Sequence, residues 1–289
     1  MQMNIAINTD FFEDINSPEP YLKLASEAGF PRIMWCHQWN TDFIYGKAEL
    51  AQIKSWLKTY QLQLQDVHGT DGREKCWYAV EEYRRKAGVE LTINRLLMLK
   101  ELNGDGTLIM HPPRIREPED LHQVELRRQQ AQSVRRSLDE LMPLLEKYDA
   151  KIALENLPHG NWEILSALLD DYPAERIGYC FDSGHCNIKV RTHFEETEKY
   201  ASRIIAVHLH DNDGSGDQHQ NPFTGTFDWE WLAGVLKKSS YTNPLNFELN
   251  CRKSPFFNPE SSDHTPALKA WLADAMERCS KFAKMCQRG

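Results

Sequence analysis

Short apolar runs rich in β-branched residues alternate along this chain with longer segments in which apolar residues recur at helical spacing. The short runs predict eight strands, at residues 3–8, 32–37, 62–68, 107–111, 151–156, 176–182, 203–210 and 243–249. The longer segments predict helices at residues 19–29, 49–60, 77–102, 124–148, 161–171 and 227–238, and from Pro266 onward. Because strands and helices alternate without a linker, we predict a single (β/α)8 barrel that forms one domain over residues 1–289.

Alternation within each strand indicates which side chains point into the barrel, since successive residues of a strand face opposite sides. In the seventh strand this pattern places Ile205, Val207 and Leu209 outside. The inward positions of the last three strands are Ala206, His208, His210, Gly178, Cys180, Asp182, Asn246 and Glu248. The third strand is less regular, because Leu62 and Leu64 share a face with Asp66 and His68. The ionisable residues lie at the carboxyl ends of the strands, where barrel enzymes carry their catalytic groups.

Composition and charge narrow the class of protein. The chain is 41% hydrophobic and 26% charged, which is typical of a globular protein with a full core. It contains no run of about 18 apolar residues and no secretory signal, so we expect a cytoplasmic protein without membrane association. The net charge of −8 argues against nucleic acid as a partner, because phosphate contacts require a basic face. The seven cysteines lack CxxC spacing and predict neither a disulfide framework nor a thiolate zinc site.

The segment VHLHDNDGSGDQH, residues 207–219, concentrates three histidines and three aspartates directly after an apolar strand. Further acids and imidazoles follow other strands. The complete set of candidate ligands is His68, His111, Glu155, Asp182, His185, His208, Asp217, His219 and Glu248. A carboxylate inside a barrel needs a cation or a basic partner, and no lysine or arginine occupies a neighbouring inward position. We therefore predict a divalent metal site at this end of the barrel.

The motifs LEN, DSGH, VHLHDNDG with DQH, and FEL occur in this order along nearly the whole chain. In these motifs the sequence resembles the xylose isomerase-like TIM barrels, which include D-tagatose and D-psicose epimerases, sugar phosphate isomerase/epimerase-type proteins and endonuclease IV. The resemblance to the epimerases implies that one shared metal is held by Glu155, Asp182, His208 and Glu248. His210 is a rival for the imidazole position, and His208 is favoured because its spacing to Asp211 matches the HxxD motif of the family.

The resemblance to endonuclease IV implies two further metals. One would be held by His68, His111 and Glu155, and the other by His185, Asp217 and His219. We therefore expect between one and three ions, chosen from Mn²⁺, Zn²⁺, Co²⁺ and Mg²⁺. Sugar-active relatives often use such residues to hold substrate oxygens instead. The chain departs from the family in one loop, where HQNPFTGTFDW replaces HLPPGEGxxDW, so that a glutamate is lost and Phe223 is gained.

These features predict a metal-dependent isomerase or epimerase of a sugar or sugar phosphate. A metal-chelated carbonyl acidifies the adjacent carbon-bound proton, and two carboxylates can remove and return that proton. The resemblance implies Glu155 and Glu248 as this pair, with His185 orienting a substrate oxygen. The residues expected to bind the substrate are His68, His111, His210, Asp217, His219 and Trp39. For a phosphate group, the candidate anchors near strand ends are Arg114, Arg116 and Arg252.

Two alternatives remain open. One is a metal-dependent phosphodiesterase of the endonuclease IV kind, which the complete ligand set favours and the acidic balance disfavours. The other is a non-catalytic metal- or sugar-binding barrel. We expect a small carbohydrate as the partner, and assembly into a homo-oligomer is left open.

Overall fold

The computed structural model of the protein describes residues 4–13, 16–114, 121–158, 162–188 and 192–287, so that Met3 of the first predicted strand and Arg116 lie outside it. All eight predicted strands are present. They are β1 (Ile5–Asn8), β2 (Arg32–Trp35), β3 (Gln63–His68), β4 (Leu108–Met110), β5 (Ile152–Glu155), β6 (Ile177–Asp182), β7 (Ile204–His208) and β8 (Leu245–Phe247).

The strands form one parallel sheet in the order β7-β6-β5-β4-β3-β2-β1-β8. The remaining seam, between β7 and β8, is joined by backbone hydrogen bonds. Leu209 N donates to Asn246 O at 2.9 Å, and Glu248 N donates to Leu209 O at 3.1 Å. The sheet therefore closes on itself, and the predicted (β/α)8 barrel is confirmed.

Helices surround this barrel. The structure has α1 (Glu19–Glu27), α2 (Lys47–Thr59), α3 (Glu82–Glu101), α4 (Leu121–Lys147), α5 (Trp162–Asp171), α6 (Ser183–Asn187), α7 (Thr192–Lys199), α8 (Trp229–Lys238) and α9 (Thr265–Met285). The helix predicted from Trp77 begins only at Glu82. Trp77 instead lies buried in the preceding loop, where its indole donates to His111 O and its carbonyl accepts from Ser137 Oγ. Among the residues that the structure describes, no helix combines the length and apolar character needed to cross a membrane.

Two strand irregularities explain where the simple alternation holds and where it fails. In β3 the register against β2 shifts between Leu64 and Val67, so both of these side chains face the outer core although they are three residues apart. The shift accounts for the irregular pattern of the third strand.

In β7 the register shifts between Ile204 and Ala206. The prediction that Ile205 points outward is wrong, because its side chain packs inside the barrel and fills the space beside Gly178. There it contacts the inner apolar group, which consists of Met34, Cys36, Ile109, Ala153, Cys180 and Ala206. Beyond the shift, Val207 and Leu209 lie in the outer core and Ala206 lies inside, as predicted.

Candidate active site at the mouth of the barrel

Four predicted ligands meet at the carboxyl ends of the last four strands. Glu155 ends β5, Asp182 ends β6, His208 ends β7, and Glu248 directly follows β8. One nitrogen or oxygen atom from each of the four lies within 4.8 Å of the others, and no side chain of the four is more than 11% exposed. We call these residues the acid–histidine cluster.

His208 lies at the centre of the cluster. Its Nδ1 is 3.0 Å from Glu248 Oε2 and 3.2 Å from Glu155 Oε2. Burial lowers the pKa of His208, but the carboxylates of Glu155 and Glu248 outweigh burial and raise this pKa well above its usual value. Conversely, burial opposes the charged form of Glu155, yet His208 and His111 hold the pKa of Glu155 well below its usual value. Without a metal, the cluster therefore gains a proton on its imidazole to balance its carboxylates.

The cluster has the chemistry that a divalent cation requires. Both ring nitrogens of His208 are buried, and neither has a well-aligned hydrogen bond with a residue that the structure describes, although Nδ1 lies close to two carboxylates. A buried polar atom without such a bond is costly, and it marks a position where an ion or a ligand can supply the missing contact. Three carboxylates and one imidazole are donors that Mn²⁺, Mg²⁺, Co²⁺ and Zn²⁺ accept. The residues present thus fit a metal.

Three further histidines present their Nε2 atoms to the mouth. Their Nδ1 atoms donate to backbone carbonyls, from His68 to Gly69 O at 2.7 Å, from His185 to Asn156 O at 2.9 Å and from His219 to Glu248 O at 3.0 Å. Such a bond fixes the tautomer and leaves Nε2 able to bind a metal or a substrate oxygen. The histidines predicted as additional ligands are therefore oriented for either role.

His68 and His111 also lie next to Glu155. The Nε2 atoms of His111 and His68 are 3.3 Å and 3.9 Å from Glu155 Oε2. Burial lowers the pKa of His68 to about 4, with the charge of His111 contributing. For His111, burial acts in the same direction, but Glu155 and Asp71 raise its pKa to about 9. Of this pair, His68 is the neutral imidazole near pH 7 and has a lone pair available for a ligand.

Asp217, His219 and His210 form the opposite wall. Asp217 Oδ2 is 3.0 Å from His219 Nε2 and 3.5 Å from His185 Nε2. The ring of His210 stacks on that of His219 at 4.1 Å, and His210 Nε2 is 3.2 Å from Asp182 Oδ1. His210 therefore contacts the outer side of Asp182, whereas His208 lies between the carboxylates. This geometry favours His208 as the imidazole ligand.

The loops that hold these residues have clear local causes. Asp182 caps α6 by accepting from His185 N at 2.6 Å, which places His185 beside it. At Gly184 in the same helix, a Cβ atom would lie 1.8 Å from the ring of His210, so only glycine leaves room for that imidazole. Asp211 is fully buried and accepts hydrogen bonds from Phe227 N and Trp229 Nε1. The aspartate of the HxxD motif thus anchors the loop to α8.

The loop of residues 219–229, which departs from the family pattern, contains a residue with an unusual backbone conformation. Phe223 has a φ of 65°, in the left-handed region that favours glycine. Its ring packs 5.3 Å from that of Trp229, and the ammonium of Lys281 lies 4.0 Å from its centre. These contacts hold the phenylalanine against α8 and α9.

Trp39 stands between two cavities at the mouth. Its ring lies 4.9 Å from that of His68 and 5.5 Å from that of His111. A cavity of about 410 Å³ is lined by Trp39, His219 and Glu248, and a second of about 620 Å³ extends from Trp39 toward α4. Of the predicted phosphate anchors, Arg252 lines the first cavity and Arg114 the second, and both are paired with acids.

Two acidic residues of this region are absent from the predicted site. Asp10 follows β1 and lines the first cavity with Glu248, and burial together with the charge of Glu248 raises its pKa to about 6. Asp71 follows β3, and its carboxylate lies 4.0 Å from His111 Nδ1. Position after a strand is the signal that identified the other residues, and applying it to β1 would have found Asp10.

Comparison with known proteins agrees with this architecture. The model of the family described as xylose isomerase-like TIM barrel matches residues 22–279, and the chain belongs to this family. Its sequence is 27% identical to protein y4fM of Sinorhizobium fredii (strain NBRC 101917 / NGR234), described as uncharacterized, over 249 residues that cover 78% of this chain and 79% of the relative.

Solved structures with the same fold include two that are described as sugar epimerases or epimerase-like. A D-tagatose 3-epimerase-like protein superposes with a TM-score of 0.73 at 20% identity, covering 98% of both chains. A D-psicose 3-epimerase solved in the presence of D-fructose gives a TM-score of 0.74 at 16% identity, covering 99% of this chain and 100% of the other. At these identities the similarity establishes the shared fold.

Proposed function

We propose that this protein is a divalent-metal-dependent isomerase or epimerase of a sugar or sugar phosphate. The observation that carries the proposal is the acid–histidine cluster, in which three buried carboxylates surround one imidazole at the catalytic end of the barrel. The epimerases among the structures with this fold support the same reaction class.

Glu155, Asp182, His208 and Glu248 would hold the cation. When bound, a divalent cation supplies Lewis-acid polarisation of a substrate carbonyl. Glu155 Oε2 and Glu248 Oε2 lie 3.2 Å and 3.0 Å from His208 Nδ1. In the proposal, one of these carboxylates removes the proton from the carbon next to the carbonyl, and the other returns a proton.

The surrounding histidines position the substrate in this proposal. His185, whose Nδ1 is fixed by Asn156 O, directs Nε2 toward a substrate oxygen. His68, His111, His210, Asp217 and His219 offer further polar contacts, and the ring of Trp39 provides an apolar face for the sugar. Isomerisation and epimerisation share the same first proton transfer, so this arrangement serves either reaction.

Solvent-deuterium exchange tests the proposal. We expect the manganese-loaded protein to incorporate deuterium into at least one sugar of a panel of ketohexoses and their phosphates, as measured by NMR. Glu248→Gln should reduce this rate about 10²- to 10⁴-fold, because it removes one proton-transfer group. Circular dichroism should show an unchanged fold. Wild-type exchange rates in the variant would reject the assignment of Glu248.

The number of converging ligands also supports a second candidate, a phosphodiesterase of the endonuclease IV kind. His68, His111 and Glu155 form a second group whose ligand atoms lie within 4.8 Å of one another. Several bound ions could activate water and hold a phosphate. Metal analysis and cleavage of an abasic-site oligonucleotide separate the candidates: three ions with cleavage would favour the phosphodiesterase, and sugar exchange without cleavage the isomerase.

A further inference from the structure

A groove leads away from the mouth between the loop after β3 and the first half of α4. Its inner part is the 620 Å³ cavity that begins at Trp39, and its outer part is a neighbouring cavity of about 370 Å³. The two parts share Asp71, Tyr78, Leu126 and Gln130 in their walls. The two cavities therefore adjoin each other along a shared wall, and together they extend beyond the space next to the acid–histidine cluster.

The described walls of the groove have the opposite charge balance to the whole chain. Among the residues that the structure describes, its walls carry four arginines, Arg73, Arg84, Arg114 and Arg127, and two acids, Asp71 and Glu81. The chain as a whole carries a net charge of −8. The first cavity differs, since it is lined by the acids Asp10, Glu13 and Glu248 and by the two cations Arg252 and Lys253. An anion entering the mouth would accordingly be attracted to the groove.

Arg114 is placed to contact such an anion. Its guanidinium is half exposed, and among the residues that the structure describes it donates a hydrogen bond only to Asp71 Oδ2, at 3.2 Å. An arginine has five N–H donors, and within the described part of the chain Arg114 uses one of them, so its guanidinium can offer two-point binding to a phosphate or a carboxylate. The hydroxyl of Tyr78 donates to the other oxygen of Asp71 at 2.9 Å and lines the same wall.

Arg114 is also connected to the candidate active site. Asp71 Oδ2 lies 4.0 Å from His111 Nδ1, and His111 Nε2 lies 3.3 Å from Glu155 Oε2. Two side chains thus separate the guanidinium from a carboxylate of the acid–histidine cluster. A ligand with its carbonyl end at the cluster and an anionic group several bonds away could reach Arg114 past Trp39.

We propose that this groove is an anion subsite, which binds a phosphate or carboxylate substituent at the end of the substrate remote from its reacting carbon. The inference rests on the proposed function for the position of the reacting carbon. The substrate would then be an acidic sugar, such as a ketose phosphate or a keto-uronate. Neutral sugars would occupy the mouth and leave the groove empty.

Matched substrates and a matched control variant test this subsite. Deuterium exchange by the manganese-loaded protein is compared for ketohexoses, their 6-phosphates and the corresponding keto-uronates. We expect kcat/KM for one acidic series to exceed that for the neutral sugars. Arg114→Gln should lower kcat/KM for that series roughly 10- to 100-fold, the effect of losing a charged hydrogen bond, and should lower kcat/KM for the neutral sugars much less. Exchange with phosphates but not uronates, or the reverse, identifies the anion.

Arg128→Gln is the control for Arg114→Gln. Arg128 lies on α4 next to the groove residue Arg127, but it is not among the lining residues of the groove and pairs with the exposed Glu125. Equal effects of Arg114→Gln and Arg128→Gln, or no preference for acidic sugars, would overturn the subsite. Arginine-dependent cleavage of an abasic-site oligonucleotide would also overturn it, because the groove would then bind a nucleic-acid backbone.

A binding measurement separates this inference from the proposed function. Inorganic phosphate should raise the melting temperature of the manganese-loaded wild type above that seen in potassium chloride of equal ionic strength, and Arg114→Gln should remove the difference. If no sugar exchanges but phosphate binding depends on Arg114, the isomerase proposal fails and the anion site stands. If neither inorganic phosphate nor acetate, tested in the same way, has such an effect, the anion site fails whatever the exchange assay shows.

Discussion

Two layers of side chains fill the inside of this barrel, and they are stabilised in different ways. The lower layer is the inner apolar group Met34, Cys36, Ile109, Ala153, Cys180 and Ala206, all fully buried. The upper layer is the acid–histidine cluster. On β5, β6 and β7 the two layers are two residues apart, because residues of one strand that share a face alternate along it. The same strands therefore carry an apolar layer and a charged layer.

The lower layer gains free energy from removing apolar surface from water. The upper layer must remove charges from water, which costs several kcal/mol per ion unless partners compensate. Its ion pairs with histidines compensate only in part, since neither nitrogen of His208 has a well-aligned hydrogen bond among the described residues. The lower layer therefore contributes stability, whereas the upper layer has the chemistry that the proposed cation requires.

Asp66 shows how a buried carboxylate behaves without a cation. It accepts hydrogen bonds from Thr107 N at 2.5 Å and from the side chain of Asn246, which occupies the position on β8 two residues before Glu248. Burial raises the pKa of Asp66 to about 6, although these hydrogen bonds oppose the shift. The pKa values of Glu155 and Glu248 are instead lowered, because the charge of His208 lies beside their carboxylates and outweighs the effect of burial.

The largest predicted effect on stability concerns Asp66→Asn. Because the pKa of Asp66 is about 6 in the folded protein and the usual aspartate pKa is 3.8, the folded protein holds a proton that the unfolded chain has lost between these pH values. The contribution of Asp66 to stability is therefore complete below pH 4 and is lost as the pH rises through 6. Relative to wild type, the variant should gain about 3 kcal/mol in free energy of unfolding between pH 4 and pH 7.

Urea denaturation across this pH range measures the effect. The amide introduced at position 66 can donate to Asn246 Oδ1 if the Asn246 side chain rotates. Asn246 Oδ1 is available for this bond, because it has no hydrogen bond among the described residues. Parallel pH profiles for the variant and wild type would contradict the assigned cause.

Metal addition should stabilise the upper layer by a slightly smaller amount. In protein dialysed against chelator, Mn²⁺ at 100 times its dissociation constant should raise the free energy of unfolding by about 2.7 kcal/mol. Asp182→Asn should reduce this gain at the same metal concentration, because it removes a carboxylate ligand. Asparagine can still cap α6, so the helix itself should remain.

Asp228→Asn serves as the comparison for this variant. Asp228 caps α8 by accepting from Trp231 N at 2.9 Å, away from the acid–histidine cluster. Its metal response should match wild type. A wild-type protein whose denaturation curve is unchanged by manganese, zinc and cobalt would contradict the metal site.

Two glycine substitutions distinguish the layers by their effects on exchange activity. Gly178→Ala places a Cβ atom 2.5 Å from the side chain of Ile205 in the lower layer. It should destabilise the protein by about 1–3 kcal/mol through overpacking and leave deuterium exchange at the wild-type rate. Gly184→Ala displaces the ring of His210 instead, at 1.8 Å.

For Gly184→Ala we expect at least as large a loss of stability, because the clash with the buried His210 ring outweighs the about 1 kcal/mol by which alanine favours a helix, and a clear loss of exchange activity. Thermal denaturation and the exchange assay of both variants provide the test. If Gly178→Ala impaired exchange as much as Gly184→Ala, the two layers would not be functionally distinct.

Much of the fold could be predicted from local patterns. All eight strands were found because β-branched apolar runs are short and bounded by polar segments. The start of α3 and the inward side chain of Ile205 could not be found in this way. Trp77 stays outside the helix because of partners at positions 111 and 137, and Ile205 turns inward because its strand is bulged against β6. Both causes lie in distant parts of the chain.

The candidate site was predicted to a similar degree. Residues at strand ends were identified as a group because the carboxyl ends of parallel strands meet at one face of a barrel. The distances between these residues and their protonation states could not be derived from the sequence, since both depend on loop conformation and rotamers. For the same reason the sequence did not show which residues form the acid–histidine cluster and which form the opposite wall. Asp71 was missed for the same reason, because its link to His111 exists only once two loops are packed together.

The sequence by itself determined the alternation of strands and helices and the chemical types gathered at the strand ends, because periodicity and residue identity are local properties of the chain. Only the tertiary structure decided which imidazole lies between the carboxylates, which inward positions the bulges shift, and where the arginine-lined groove leaves the mouth. Those features depend on distances of a few ångströms between residues that are far apart in the chain, and such distances arise only when the barrel closes.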